Sequence, residues 1–128
     1  MRTQITLAMA MVTGIAIGAA FIQSLHAQTK PQAYVVVAVQ NITNPDVMKT
    51  VVQRASPEAL AAAGGRYIVR TNNVIGVEGT PPQRLVIIAF DNVEKALAWE
   101  NSPPAKEYAA MRAEAAESVA FIAEGVAN

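Results

Sequence analysis

The sequence predicts an α+β fold, a ferredoxin-like split βαβ arrangement in which one antiparallel sheet carries its helices on a single face. Three observations predict it. Short β-branched runs at Tyr34–Val39 and Gln83–Phe90 read as strands, and the second, with Leu85-Val86-Ile87-Ile88 at its centre, reads as a central one. Each is followed by turn chemistry and then by apolar residues at helical spacing. Between them, Gly64-Gly65 stops a helix and opens the alternating stretch Arg66–Arg70. The resulting order is β-α-β-(β)-β-α-β.

The 128 residues suffice for one domain once the N-terminus is set aside. Arg2 precedes an uncharged apolar run, Ile5 to Ile22, and Ala27 follows at a plausible cleavage position, with Leu25 where a smaller residue is commoner. These are the parts of a secretory signal peptide. The run is also near the ~18-residue lower limit of a membrane span, so an uncleaved anchor is the alternative. We therefore expect residues 1–27 to be a signal peptide or N-terminal anchor, 28–33 a linker, and 34–126 the folded domain. Either way the domain lies outside the cytoplasm, periplasmic or secreted, or membrane-anchored and facing the periplasm. Any membrane contact is made only through an uncleaved N-terminus.

Along the domain, Asn44-Pro45 and Ser56-Pro57 are helix starts, each with a capping side chain and a proline that fits the first turn. Tyr67 and Val69 should share one face of the next strand and Arg66, Ile68 and Arg70 the other. Thr71-Asn72-Asn73 reads as a turn and Val74–Glu78 as a short partner strand before Gly79-Thr80-Pro81-Pro82. Asp91 with Glu94 reads as a capping box for a helix bearing Trp99. Ser102-Pro103-Pro104 ends that helix and caps the next, whose apolar line is Tyr108, Met111 and Ala115. Ser118–Ile122 reads as a last strand, with continuation of the helix as the alternative. The exposed sheet face would be apolar, and such faces are commonly covered by a partner, so a homodimer is expected.

Composition excludes several chemistries. Ten basic and ten acidic residues leave no electrostatic case for nucleic acid. There is no cysteine, and the only histidine, His26, lies at the leader junction. A Ser-His-Asp triad, a histidine-ligated haem, a thiolate nucleophile and the usual zinc sites are all excluded from the domain. No Asp-rich loop suggests calcium or magnesium, so neither metal nor cofactor is expected. Gly64-Gly65 precedes a strand rather than a helix and lacks phosphate-loop geometry.

The remaining candidates are ligand contacts. Arg66 and Arg70, on one face, could hold an anion through planar bidentate contacts, or be surface ion pairs. Tyr67 could donate to a ligand or pack, and Trp99 could wall a pocket or fill the core. Glu78 and Arg84 flank the double-proline loop and could pair across it or reach a pocket. Asn101 could contact ligand, whereas Ser102 reads as a cap.

Three stretches in order resemble one family: Gly64-Gly65-Arg66-Tyr67-Ile68-Val69-Arg70; Arg84-Leu85-Val86-Ile87; and Ala96-Leu97-Ala98-Trp99 with Asn101-Ser102-Pro103. Together they resemble the domain of unknown function 1330 family across about Ala33 to Gly125. The resemblance implies a dimeric α/β barrel, two ferredoxin-like subunits with facing sheets, similar in fold to haem-degrading and quinone-forming monooxygenases. It implies no established activity. The chain departs from the family pattern where Pro104-Ala105-Lys106-Glu107 precede Tyr108. Three readings follow: an exported dimer binding a small anionic or aromatic molecule between sheet and helices, a cofactor-independent oxygenase- or isomerase-like enzyme acting on a small aromatic or acidic substrate, and a structural envelope module.

Overall fold

In the structure, a computed structural model that describes residues 30–127, β-branched Ala33–Gln40 forms β1. Two helices follow, α1 (Pro45–Arg54) and α2 (Pro57–Ala62), then β2 (Arg66–Thr71) and β3 (Arg84–Phe90). Helices α3 (Val93–Glu100) and α4 (Pro103–Ala115) lead to β4 (Glu117–Glu124). The sheet order is β2-β3-β1-β4 with every neighbour antiparallel. This is the predicted α+β arrangement, with β3 central as expected. The leader and anchor expectations fall on residues outside those described. Among the described residues no helix is long and apolar enough to cross a membrane.

Local chemistry explains the boundaries. Asn44, Ser56 and Ser102 each accept a backbone N–H of the first helical turn, and each is followed by proline. Gly64, at φ +85°, takes the left-handed turn that closes α2. Gly65 is needed for close approach: a Cβ there would stand 2.8 Å from the Phe90 ring and 2.9 Å from Leu60 Cδ1. Phe90 and Leu60 are the largest fully buried side chains, so this glycine lets α2 seat against β3.

Three expectations are corrected. Val74–Glu78 forms no strand. Gly76, Gly79 and Pro81-Pro82 break the segment, Ile75 and Val77 are exposed, and β2 is left as a sheet edge. The α3 cap is Asn92, accepting from the Lys95 amide, while Asp91 instead ion-pairs the Lys95 ammonium at 3.0 Å. The third correction matters most for the site. The β2–β3 register shifts between Tyr67 and Val69, a bulge that absorbs Ile68. Beyond it the alternation inverts, so Tyr67 and Arg70 share a face, opposite Ile88 and Val86, while Arg66 stands opposite Ala89 on the other face.

Register therefore sorts the sheet into two faces. Val35, Val37 and Val39 of β1 are buried and pair with Ile88, Val86 and Arg84 of β3 on the helix side. Those valines, Phe90, Leu60, Ala96 and Ala115 form the core. Each large apolar side chain contributes ~1.5–3 kcal/mol on full burial. The opposite face carries the row Val69-Ile87-Val36-Phe121 across all four strands, beside Leu85, Ala38 and Val119. Phe121 and Val119 are 50% and 63% exposed there, so this face is apolar and uncovered in a single chain.

Candidate functional site

Between the helix side of the sheet and helices α1, α3 and α4 lies a cavity of about 80 Å³. Its floor is Val37, Val39, Val86 and Ile88. Met48, Val51, Val52 and Ala55 of α1 form one wall, Trp99 and Glu100 of α3 another, and Ala105, Tyr108 and Arg112 of α4 a third. Tyr67 and Arg70 enter from β2 and Arg84 from β3. The bulge is what brings Tyr67 and Arg70 in together, since a regular strand would send one of them to the opposite face.

The polar groups divide into two sets. One set staples the end of α1. Tyr67 donates to the Ala55 carbonyl at 2.8 Å, Tyr108 donates to that of Arg54 at 3.0 Å, and Arg70 Nη2 donates to Val52 and Ala55 at 2.6 and 3.0 Å. These are carbonyls a helix C-terminus leaves unpaired, and a cation there is favoured by the helix dipole. The Arg70 guanidinium also lies 4.4 Å over the Tyr67 ring. Trp99 and Tyr108 pack with ring centroids 6.4 Å apart and tilted 44°.

The second set is charged but has only light structural duty. Arg84 donates to the Asn72 side chain at 3.0 Å, and Arg112 to the Ser118 hydroxyl at 3.2 Å. The ion pairs formed among the described residues, Arg54–Glu107 and Lys95–Asp91, both lie elsewhere on the surface. Burial pushes the Glu100 carboxyl up, and the nearby Arg112 charge partly opposes it. Burial likewise lowers Arg112, with Glu100 opposing. Arg84 is lowered by burial first and then by the like charge of Arg70. Tyr67 is raised, chiefly by burial. A guanidinium stays protonated under all these influences. The cavity thus carries three cations against one carboxylate, on an apolar floor.

Of the residues singled out in the sequence, the structure brings Tyr67, Arg70, Arg84 and Trp99 into one cavity. Arg66 is exposed on the opposite sheet face, Glu78 is exposed in the 72–83 loop, and Asn101 is the exposed C-cap of α3. None of these three lines the cavity. The expected pairing of Arg66 with Arg70 on one face fails because of the bulge. Glu100, Tyr108 and Arg112 line the cavity without having been picked out as ligand contacts. The spacing Ala105, Tyr108, Arg112, Ala115 (i, i+3, i+7, i+10) is the signal that could have found two of them, because it defines one inward helical stripe.

A four-stranded antiparallel sheet in this order, helices on one face and a charged cavity beneath them, defines a ferredoxin-like α+β protein. The chain belongs to the family described as domain of unknown function (DUF1330), whose profile matches residues 32–126. No curated protein matches it. Solved structures share its fold. A protein of unknown function from Rhodopseudomonas palustris aligns with TM-score 0.56 at 14% identity, covering 86% of this chain and 94% of its own. A dimeric ferredoxin-like protein of unknown function from Thermobifida fusca gives TM-score 0.52 at 16% identity, covering 74% and 92%. One from Bacteroides fragilis, also described as dimeric and ferredoxin-like, gives 0.50 at 15%, covering 73% and 95%. At these identities the likeness is one of fold.

Proposed function

We propose that this protein is an exported homodimer that binds a small organic anion in the cavity between sheet and helices. The observation that carries the reading is the charge imbalance at a partly desolvated apolar site: Arg70, Arg84 and Arg112 against Glu100. An anion among guanidiniums gains charge-assisted hydrogen bonds and relieves their mutual repulsion. Arg84 is the residue best suited to the acid group, since the hydrogen bond its guanidinium makes within the described chain goes to an exposed loop asparagine. The test is a thermal-shift and calorimetry panel of small carboxylates and phenolates against matched neutral amides and alcohols. Acids should stabilise the protein, their neutral counterparts should not, and Arg84→Gln should remove the difference. No stabilisation by any acid would overturn the reading.

The homodimer part rests on the uncovered apolar sheet face, and dimeric neighbours of the same fold support it. Export rests on the apolar leader read in the sequence. A purified protein whose mass begins at Gln28 would support a cleaved signal, and an intact N-terminus in the cytoplasmic fraction would refute export.

Glu100 favours a second reading, a cofactor-independent enzyme. A partly buried carboxyl raised by desolvation, on the wall of the cavity, suits general acid–base work on a group that reaches into it. Turnover of quinol-type or acidic aromatic substrates that disappears in Glu100→Gln would favour it. Activity indifferent to that substitution would dismiss it.

A further inference from the structure

The cavity is too small to hold a whole ligand of ordinary size. A cavity of ~150 Å³ is what benzene needs, and drug-sized pockets run from ~300 Å³ upwards. About 80 Å³ suffices for an acid group and a few further atoms. A second hollow adjoins it. A groove of about 440 Å³ runs outside α1, lined by Ile42, Pro45, Met48 and Val52, with Lys49 and Gln53 beside them and Asn72 and Arg84 at the loop end. Met48, Val52 and Arg84 line both spaces. Arg84 is therefore the charged element of the wall shared by a small polar chamber and a larger apolar groove.

From this juxtaposition we infer that the ligand is an amphipathic monocarboxylate whose carboxylate sits at Arg84, facing the inner chamber, and whose aliphatic tail lies in the outer groove against Ile42, Met48 and Val52. The inference rests on the organic-anion reading above and extends it to a ligand class. Charge complementarity fixes the direction. Arg84 and Arg70 both line the inner chamber, and Arg70 does not line the groove, so the anionic end belongs between them. The apolar groove walls leave the tail outside. The Arg84–Asn72 hydrogen bond is the contact that an incoming carboxylate would replace.

The experiment is calorimetric titration of the protein, purified as its cells process it, with acetate, butyrate, hexanoate, octanoate and 1-octanol. Affinity should rise with length by about fourfold for each buried methylene. Octanol should bind at least tenfold more weakly than octanoate. Arg84→Gln should erase the difference between octanoate and octanol. Ile42→Asn should flatten the dependence on length. Acetate binding as tightly as octanoate would overturn the groove while leaving the anion site standing. Octanol matching octanoate would overturn the role of Arg84. Binding of none of the acids would overturn both readings. Conversion of a dimer to a monomer by Ile42→Asn would assign the groove to a second copy of the chain and overturn its role in ligand binding.

Discussion

Arg70 and Arg84 line the same cavity, but the fold uses them differently. Arg70 holds two carbonyls at the end of α1 and covers Tyr67, so removing it leaves the Val52 carbonyl without its partner and the Ala55 carbonyl with Tyr67 alone. Arg70→Ala should cost about 2 kcal/mol, the range for hydrogen bonds from a charged donor. Arg84→Gln should cost less than about 1 kcal/mol, since it loses one exposed bond. Urea denaturation midpoints of the two variants check this ordering. Glu100 gives a pH signature. Its carboxyl is raised above the ordinary 4.5, so folding favours the protonated form. That contribution is complete below the unfolded value and is lost as pH rises through the folded one. Stability should therefore shift in favour of Glu100→Gln as pH rises above the ordinary 4.5, as read from paired urea midpoints. A shift the other way would mean that attraction to Arg112 outweighs burial. Sequence alone reached Arg70 through its supposed pairing with Arg66, Arg84 through its place beside the double-proline loop, and Tyr67 and Trp99 as aromatics able to contact a ligand or wall a pocket. It misplaced Arg66 because nothing in Arg66–Thr71, neither glycine nor proline, marks Ile68 as a bulge. It passed over Glu100 and Arg112 because charged residues on a helix read as solvated until the packing partner is known.

At the scale of elements, the hinge of the site is Ser102. It ends α3 and starts α4: its hydroxyl donates to the Trp99 carbonyl and accepts from the Ala105 amide. The two helices contribute Trp99 and Glu100 on one side of this serine and Tyr108 and Arg112 on the other. Ser102→Ala should destabilise by about 1 kcal/mol, the usual cost of losing an N-cap. Because the serine fixes the angle between the helices, the variant should also weaken acid binding although Ser102 lies outside the cavity lining. Urea midpoints and calorimetry on the same preparation test both parts. The caps at Asn44, Ser56 and Ser102 were legible because capping is local chemistry. The false strand at Val74–Glu78 was not avoidable by the same means. Its apolar residues look strand-like, but pairing is non-local, and a glycine within the segment, with a glycine and two prolines after it, denies it a partner edge.

For the molecule as a whole, the element order sufficed to derive the topology, because two helical crossovers on one face of a sheet leave few arrangements open. The cavity was not derivable that way. It arises where a bulged edge strand, the end of α1 and the α3–α4 corner meet, and each depends on packing. The two faces of the sheet give the protein two separable jobs: the helix side encloses charge, and the open side offers apolar surface. Phe121→Glu, on the open face, should favour monomers in sedimentation while leaving acid binding intact, provided the two jobs are independent. The central claim concerns the enclosed side. A crystal structure of the protein grown with saturating octanoate tests it most directly. The account predicts carboxylate density within hydrogen-bonding distance of the Arg84 guanidinium, with the tail running along Met48 and Val52 into the groove. A cavity and groove left empty under those conditions, or acid bound only on the open face of the sheet, would contradict it.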